Sequence, residues 1–218
     1  MLYVEKKTFP DGRPVLTFHM TNTNLVPVLS FGTIALDLEA QYGSKDYQDR
    51  FSEGYLRSCT IGTQTGVIPE ILIQITGNNR AFTTRTFLSV TLAYDLPFVL
   101  NAGGVENDWF KVWGKLYAFG YSTPQVEVRP CWVEKDVKTS CADWRLTTYR
   151  KASSGETVIA VCSFGETAKG TVDFSGLGQG PFRCTDFETG TEIPSSGGKV
   201  SLEIKKHDFR LLLVSEQR

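Results

Sequence analysis

The chain reads as two architectures in series: an α/β segment of the partial (β/α) barrel kind over residues 1–123, followed by an all-β antiparallel sandwich over residues 124–218. Three observations predict this. Up to about Ser122, apolar strand-like runs alternate with runs whose apolar residues recur at helical spacing. Beyond Pro124 the helical period vanishes, and short alternating runs are separated by Gly, Ser and Pro. The first segment holds too few strand-helix units to close a barrel or complete a doubly wound sheet, so it is expected to be the closing part of something larger.

In the first segment, residues 14–20 carry Val15, Leu16 and Phe18 after the Asp11-Gly12 turn, the pattern of a buried strand. Residues 25–38 form a second apolar run with Gly32 as a bend. From Ser44 the period changes. Tyr47, Phe51 and Tyr55 recur every four residues on one helical face, with Ser44 placed to cap and Gly62 to terminate, which predicts one helix over 44–61. Residues 67–75, with Ile68, Ile71, Ile73 and Ile75, form the nearly continuous β-branched run of a parallel strand covered on both faces. A short helix over 83–92 uses Phe87, Leu88 and Leu92, and a strand follows over 98–100. Asn107 or Asp108 then caps a third helix, with Trp109, Phe110, Trp113, Leu116 and Tyr117 on one side and Gly120 at its end. Strand and helix in alternation are the mark of a right-handed α/β array.

The second segment offers seven short strands, over 125–128, 144–151, 157–164, 170–174, 182–186, 200–204 and 209–214. Ser153-Ser154-Gly155-Glu156 and Glu188-Thr189-Gly190-Thr191 supply turns between them. Strands at this spacing predict an antiparallel sandwich able to fold alone.

Composition narrows the partners. With 218 residues, 41% of them hydrophobic and 12% aromatic, the chain has material for two modest cores, which argues against disorder. A net charge of -1 with both signs interspersed sets up no long-range field, so neither nucleic acid nor an anionic membrane is expected as partner. Lys205-Lys206-His207 is the densest basic run and reads as a solvated strand end. No signal peptide is evident, and no apolar run approaches the roughly 20 residues of a membrane span. The five cysteines, Cys59, Cys131, Cys141, Cys162 and Cys184, lie too far apart for a Cys-x-x-Cys site and read mainly as buried free thiols. A Cys131–Cys141 pair stays open. Two histidines are too few for a histidine-rich metal site, and Ser30 and Ser163 lack a Gly-x-Ser-x-Gly setting. No cofactor is expected, with an oxygen-ligated calcium left open.

Several short motifs resemble bacterial glycoside hydrolases similar to family 123. They are Thr17-Phe18-His19-Met20-Thr21-Asn22-Thr23-Asn24, Val26-Pro27-Val28-Leu29-Ser30-Phe31, Leu36-Asp37-Leu38-Glu39, Ile61-Gly62-Thr63-Gln64-Thr65-Gly66-Val67-Ile68-Pro69 and the closing His207-Asp208-Phe209-Arg210-Leu211-Leu212-Leu213. The likeness runs from about residue 14 to the end. It implies a (β/α)8-type catalytic domain with an accessory sandwich, acting on glycosides of N-acetylated amino sugars. Such enzymes use a neighbouring Asp and Glu: the acid protonates the departing oxygen, and the carboxylate orients the substrate's own acetamido group for attack. This sequence has no adjacent Asp-Glu dipeptide. The expectation is therefore that the catalytic strand lies upstream in a longer parent, and that the isolated chain is inactive.

What remains of a site is expected at strand ends. His19, Asn22 and Asn24 follow a strand and suit bonds to sugar hydroxyls, or equally a backbone-bonded turn. Asp37 and Glu39, two apart, would share one face of a strand. They are the candidate catalytic carboxylates of this chain, against an ordinary solvated or capping role. The backbone of Asn101-Ala102-Gly103-Gly104 either faces a ligand or simply makes a tight turn. Trp109 and Trp113 read as packing, while Trp132 and Trp144 are either interdomain core or a stacking platform for sugar. Carbohydrate is the expected ligand. A sheet left open at its upstream edge invites a homodimer. The resemblance suggests a periplasmic or extracellular setting for the full-length parent.

Overall fold

A computed structural model describes residues 7–8, 14–19, 31–39, 46–59, 67–72, 84–96, 98–100 and 106–217. Contacts divide the chain into two compact units: Met1–Phe82 with Leu96–Glu106, and Thr83–Asp95 with Asn107–Arg218. The boundary expected after residue 123 follows the change of sequence period. The division by contacts instead groups two helices with the later strands.

In the first unit β1 (Lys7–Thr8) and β2 (Pro14–Val15) form a small antiparallel pair. Then β3 (Thr17–His19), β4 (Ile34–Glu39), β5 (Ile68–Leu72) and β6 (Phe98–Leu100) build a parallel sheet in the order β3-β4-β5-β6. Spatial order thus follows chain order. Thr33 sets the start of the ladder: its N–H donates to Leu16 O at 2.8 Å, its hydroxyl accepts from Leu16 N at 3.2 Å, and its carbonyl accepts from Ile68 N at 2.9 Å. Phe18, Ala35, Leu36, Val67 and Ile71 are buried, as the apolar runs require.

The helix expected over 44–61 is two helices, α1 (Tyr47–Arg50) and α2 (Glu53–Cys59). The break has a local cause. Phe51 is extended (φ -114°, ψ 134°), and the Ser52 hydroxyl accepts from Tyr55 N at 3.2 Å, which makes Ser52 the N-cap of a new helix. The four-residue aromatic spacing survives the break, with ring centroids 5.7 Å apart for Tyr47–Phe51 and 4.9 Å for Phe51–Tyr55. Residues 44, 45, 60 and 61 lie outside the described residues.

The second unit opens with α3 (Thr84–Tyr94) and α4 (Glu106–Phe119). Asn107 and Asp108 lie inside α4 rather than capping it. Gly120 does end it, at φ 114° with its N–H donating to Leu116 O. One side of α4 was expected to hold all its large residues. Instead Val112, Trp113, Leu116 and Phe119 are buried while Phe110 and Tyr117 are exposed.

Eight strands follow: β7 (Val126–Arg129), β8 (Lys138–Thr139), β9 (Trp144–Lys151), β10 (Thr157–Ser163), β11 (Ala168–Asp173), β12 (Phe182–Asp186), β13 (Lys199–Ile204) and β14 (Phe209–Glu216). They form antiparallel sheets ordered β12-β14-β10-β9-β7 and β13-β11-β8. The two sheets share one core, with Trp144, Leu146, Ile159, Val161, Leu212 and Val214 from the first and Val172, Val200 and Ile204 from the second. The strand missing from the sequence reading, β8, is two residues long and shows no period.

Every residue of β10 is buried. An antiparallel strand ordinarily alternates, because one face meets water. Here the second face is covered by α3, which packs on β9, β10 and β14. The Thr147 hydroxyl donates to Ala93 O at 2.8 Å, and the Ser89 hydroxyl lies 3.4 Å from Ser163 O and 3.3 Å from Asp208 O. Cys131, Cys141, Cys162 and Cys184 are free thiols, so the open Cys131–Cys141 pairing is not made. In the basic run Lys205 and Lys206 are exposed but His207 is buried.

Candidate functional site at the strand ends

Parallel strands collect polar chemistry at their carboxyl ends. Here β3 ends on His19 and β4 on Glu39. The register pairs His19 with Leu36, the residue before Asp37, so His19, Asp37 and Glu39 come to the same end of two adjacent strands. The ladder between β4 and β5 shifts at this point: Leu36 pairs with Glu70 and Leu38 with Ile71, which leaves Asp37 in a bulge. Asn22, Asn24 and residues 101–104 lie outside the described residues.

Sequence reasoning passed over Glu70. It stands half-buried in β5, opposite Leu36 on one side and Phe98 on the other. Its signal was present: a carboxylate inside an isoleucine-rich strand that is paired on both sides.

The two tryptophans proposed as a sugar platform separate in role. Trp144 is 3% exposed and belongs to the sandwich core, so it presents no face to a ligand. Its six-membered ring lies over Gly170, where an added Cβ would meet it at 3.0 Å. This corrects the platform reading for Trp144, whose core is that of the sandwich rather than the expected interdomain one. Trp132 is half-buried and stacks on Tyr94 with centroids 5.7 Å apart and planes 27° apart, and Tyr94 meets Phe164 edge-on at 5.8 Å. One face of Trp132 is therefore engaged by protein. Among the described residues no helix is long and apolar enough to cross a membrane.

No protein-family model matches the sequence, and no curated protein matches it. Solved structures do. A family 27 glycoside hydrolase, the β-L-arabinopyranosidase of Geobacillus stearothermophilus, superposes with a TM-score of 0.62 at 14% identity, over 96% of this chain and 52% of its own. The α-galactosidase I of Mortierella vinacea gives 0.54 at 12% identity, over 87% of this chain and 55% of its own. A Bacillus halodurans protein assigned provisionally as an α-N-acetylgalactosaminidase gives 0.51 at 13% identity, over 81% and 49%. The chain spans about half the length of these structures. At such identities the likeness is one of fold alone, shared with these glycoside hydrolases, and the family named for the first of them is 27 rather than 123.

Proposed function

We propose that the chain is the late-barrel and sandwich portion of a glycoside hydrolase acting on glycosides of N-acetylated amino sugars, with residues 1–123 as an arc of the barrel and 124–218 as the accessory sandwich. One observation carries the reading: four parallel strands that pair in chain order lead into a two-sheet sandwich, and nearly all of this chain superposes on about half of a sugar-cleaving enzyme. The amino-sugar class and the kinship with family 123 rest on the motif resemblance. The fold likeness to the Bacillus halodurans protein is in keeping with that class.

In this reading the Asp-Glu pair that cleaves the bond is supplied from outside these 218 residues, since no such dipeptide occurs in them. His19, Asn22 and Asn24 bond sugar hydroxyls, and Asp37 and Glu39 are the carboxylates this chain brings to the strand ends. The purified chain is then expected to bind N-acetylgalactosamine or N-acetylglucosamine weakly by ligand-observed NMR, to lose that binding in His19→Ala, and to show no turnover of the aryl glycosides. Turnover abolished by Asp37→Asn or Glu39→Gln would place catalysis within the chain. Absence of both binding and turnover would defeat the proposal.

A second reading, a self-assembling or carbohydrate-binding module without catalysis, is favoured by one feature. Among the described strands β3 and β6 each pair on one side only. A homodimer that covers such an edge would show twice the chain mass by light scattering.

A further inference from the structure

The helix α3 ends at Tyr94, and Asp95 follows in the left-handed region at φ 54°. Helices most often carry glycine there, because other side chains are strained. Asp95 is also buried, at 8% exposure. Its carboxyl group sits at the negative end of the α3 dipole, which disfavours an anion. Near it Tyr121, just beyond α4, and Tyr149 from β9 feel its charge, and with Trp113 from α4 they form an aromatic set. Ring centroids are 5.3 Å apart for Trp113–Tyr121, 6.5 Å for Trp113–Tyr149 and 5.7 Å for Tyr121–Tyr149, and Tyr117 meets Tyr121 at 5.2 Å.

The Tyr121 hydroxyl is near enough to the Asp95 carboxyl group to lower its pKa, against the larger effect of burial. Asp95 Oδ1, the Tyr149 hydroxyl and Trp113 Nε1 are buried with no hydrogen-bond partner. The titratable groups that face Asp95 are Tyr117 and Tyr121 from the end of α4 and Tyr149 from β9; Cys162 of β10 and Cys131 act on Tyr149 in turn. None of these groups is a cation. A carboxylate at this place therefore meets burial and the unfavourable end of a helix with no cation to offset either, which favours the neutral acid.

We infer that Asp95 is a proton-operated latch: neutral, it lets the end of α3 stay buried, and ionised, it weakens that seat. Burial pushes Asp95 from its ordinary 3.8 up to about 6, with the Tyr121 hydroxyl pulling the other way. The sign follows from linkage. Below the ordinary value both folded and unfolded chains hold the proton; as pH rises the unfolded chain ionises first, so stability falls until the folded group has ionised too.

The test is thermal unfolding of the whole chain between pH 5 and 7.5, followed by near-UV circular dichroism. The wild type is expected to lose about 5 °C in its midpoint relative to Asp95→Asn over that range. Tyr121→Phe, which removes that hydroxyl, is expected to move the pH midpoint of the wild-type loss upward by at least about half a unit. Parallel pH profiles for wild type and Asp95→Asn would overturn the latch. So would an unmoved midpoint in Tyr121→Phe, and this second arm decides the matter if Asp95→Asn does not fold.

Discussion

At the scale of single residues, Trp144 shows what a side chain's neighbours decide. It opens β9 and lies two residues from Leu146 on the same inward face, while Gly170 on β11 leaves room for its ring. Removing it opens a cavity between the two sheets. Trp144→Ala is expected to cost about 3–5 kcal/mol in urea unfolding; a loss below about 1 kcal/mol would show that the ring does not fill the core. The inward alternation of Trp144 and Leu146 was legible in the sequence. The opposing glycine was not, because cross-sheet contacts join residues that no local period connects. Glu70 makes the complementary point: its charge in an apolar strand was plain to read, but its partners on β4 and β6 come from register.

At the scale of elements, α3 is legible as a helix from Phe87, Leu88 and Leu92, and its whole stretch from Phe87 to Tyr94 is buried. A helix buried all round has neighbours on more than one side. Its partners on β9, β10 and β14 lie more than fifty residues later, beyond the reach of periodicity. The helix is fastened at its first turn. Arg85 donates to Asp208 at 2.6 Å and to Glu188 at 3.1 and 3.2 Å, reaches Phe209 O at 3.0 Å, and lies 4.0 Å above the Phe209 ring. Burial alone would lower the Arg85 pKa, yet the two carboxylates hold it above its ordinary value. Arg85 is 41% exposed and the carboxylates 24% and 23%, so solvent screens part of the attraction. Arg85→Ala is expected to destabilise the chain by about 2 kcal/mol, because two half-buried carboxylates lose their partner. Equilibrium unfolding of Arg85→Ala beside the Glu188→Gln, Asp208→Asn double variant separates these contributions; equal stability of Arg85→Ala and wild type would remove the clamp from the account.

At the scale of the whole molecule, the change of period near residue 124 marks where the sandwich strands begin, whereas contacts group two earlier helices with those strands. The outer face of the five-stranded sheet carries Tyr149, Val158, Ala160, Cys162, Phe209 and Leu211, all buried, and α3 is the element that packs over β9, β10 and β14. A sheet stripped of that cover exposes a contiguous apolar face, which favours association. A chain beginning at residue 124 is therefore expected to elute as aggregates and to bind a hydrophobic dye, whereas one beginning at residue 83 is expected to elute as a discrete species and unfold cooperatively. The comparison uses size-exclusion chromatography and thermal unfolding of the two truncated chains side by side. A soluble, cooperative chain from residue 124 would mean that the strands close their own outer face, and that the helical cover contributes little to the fold of the sandwich.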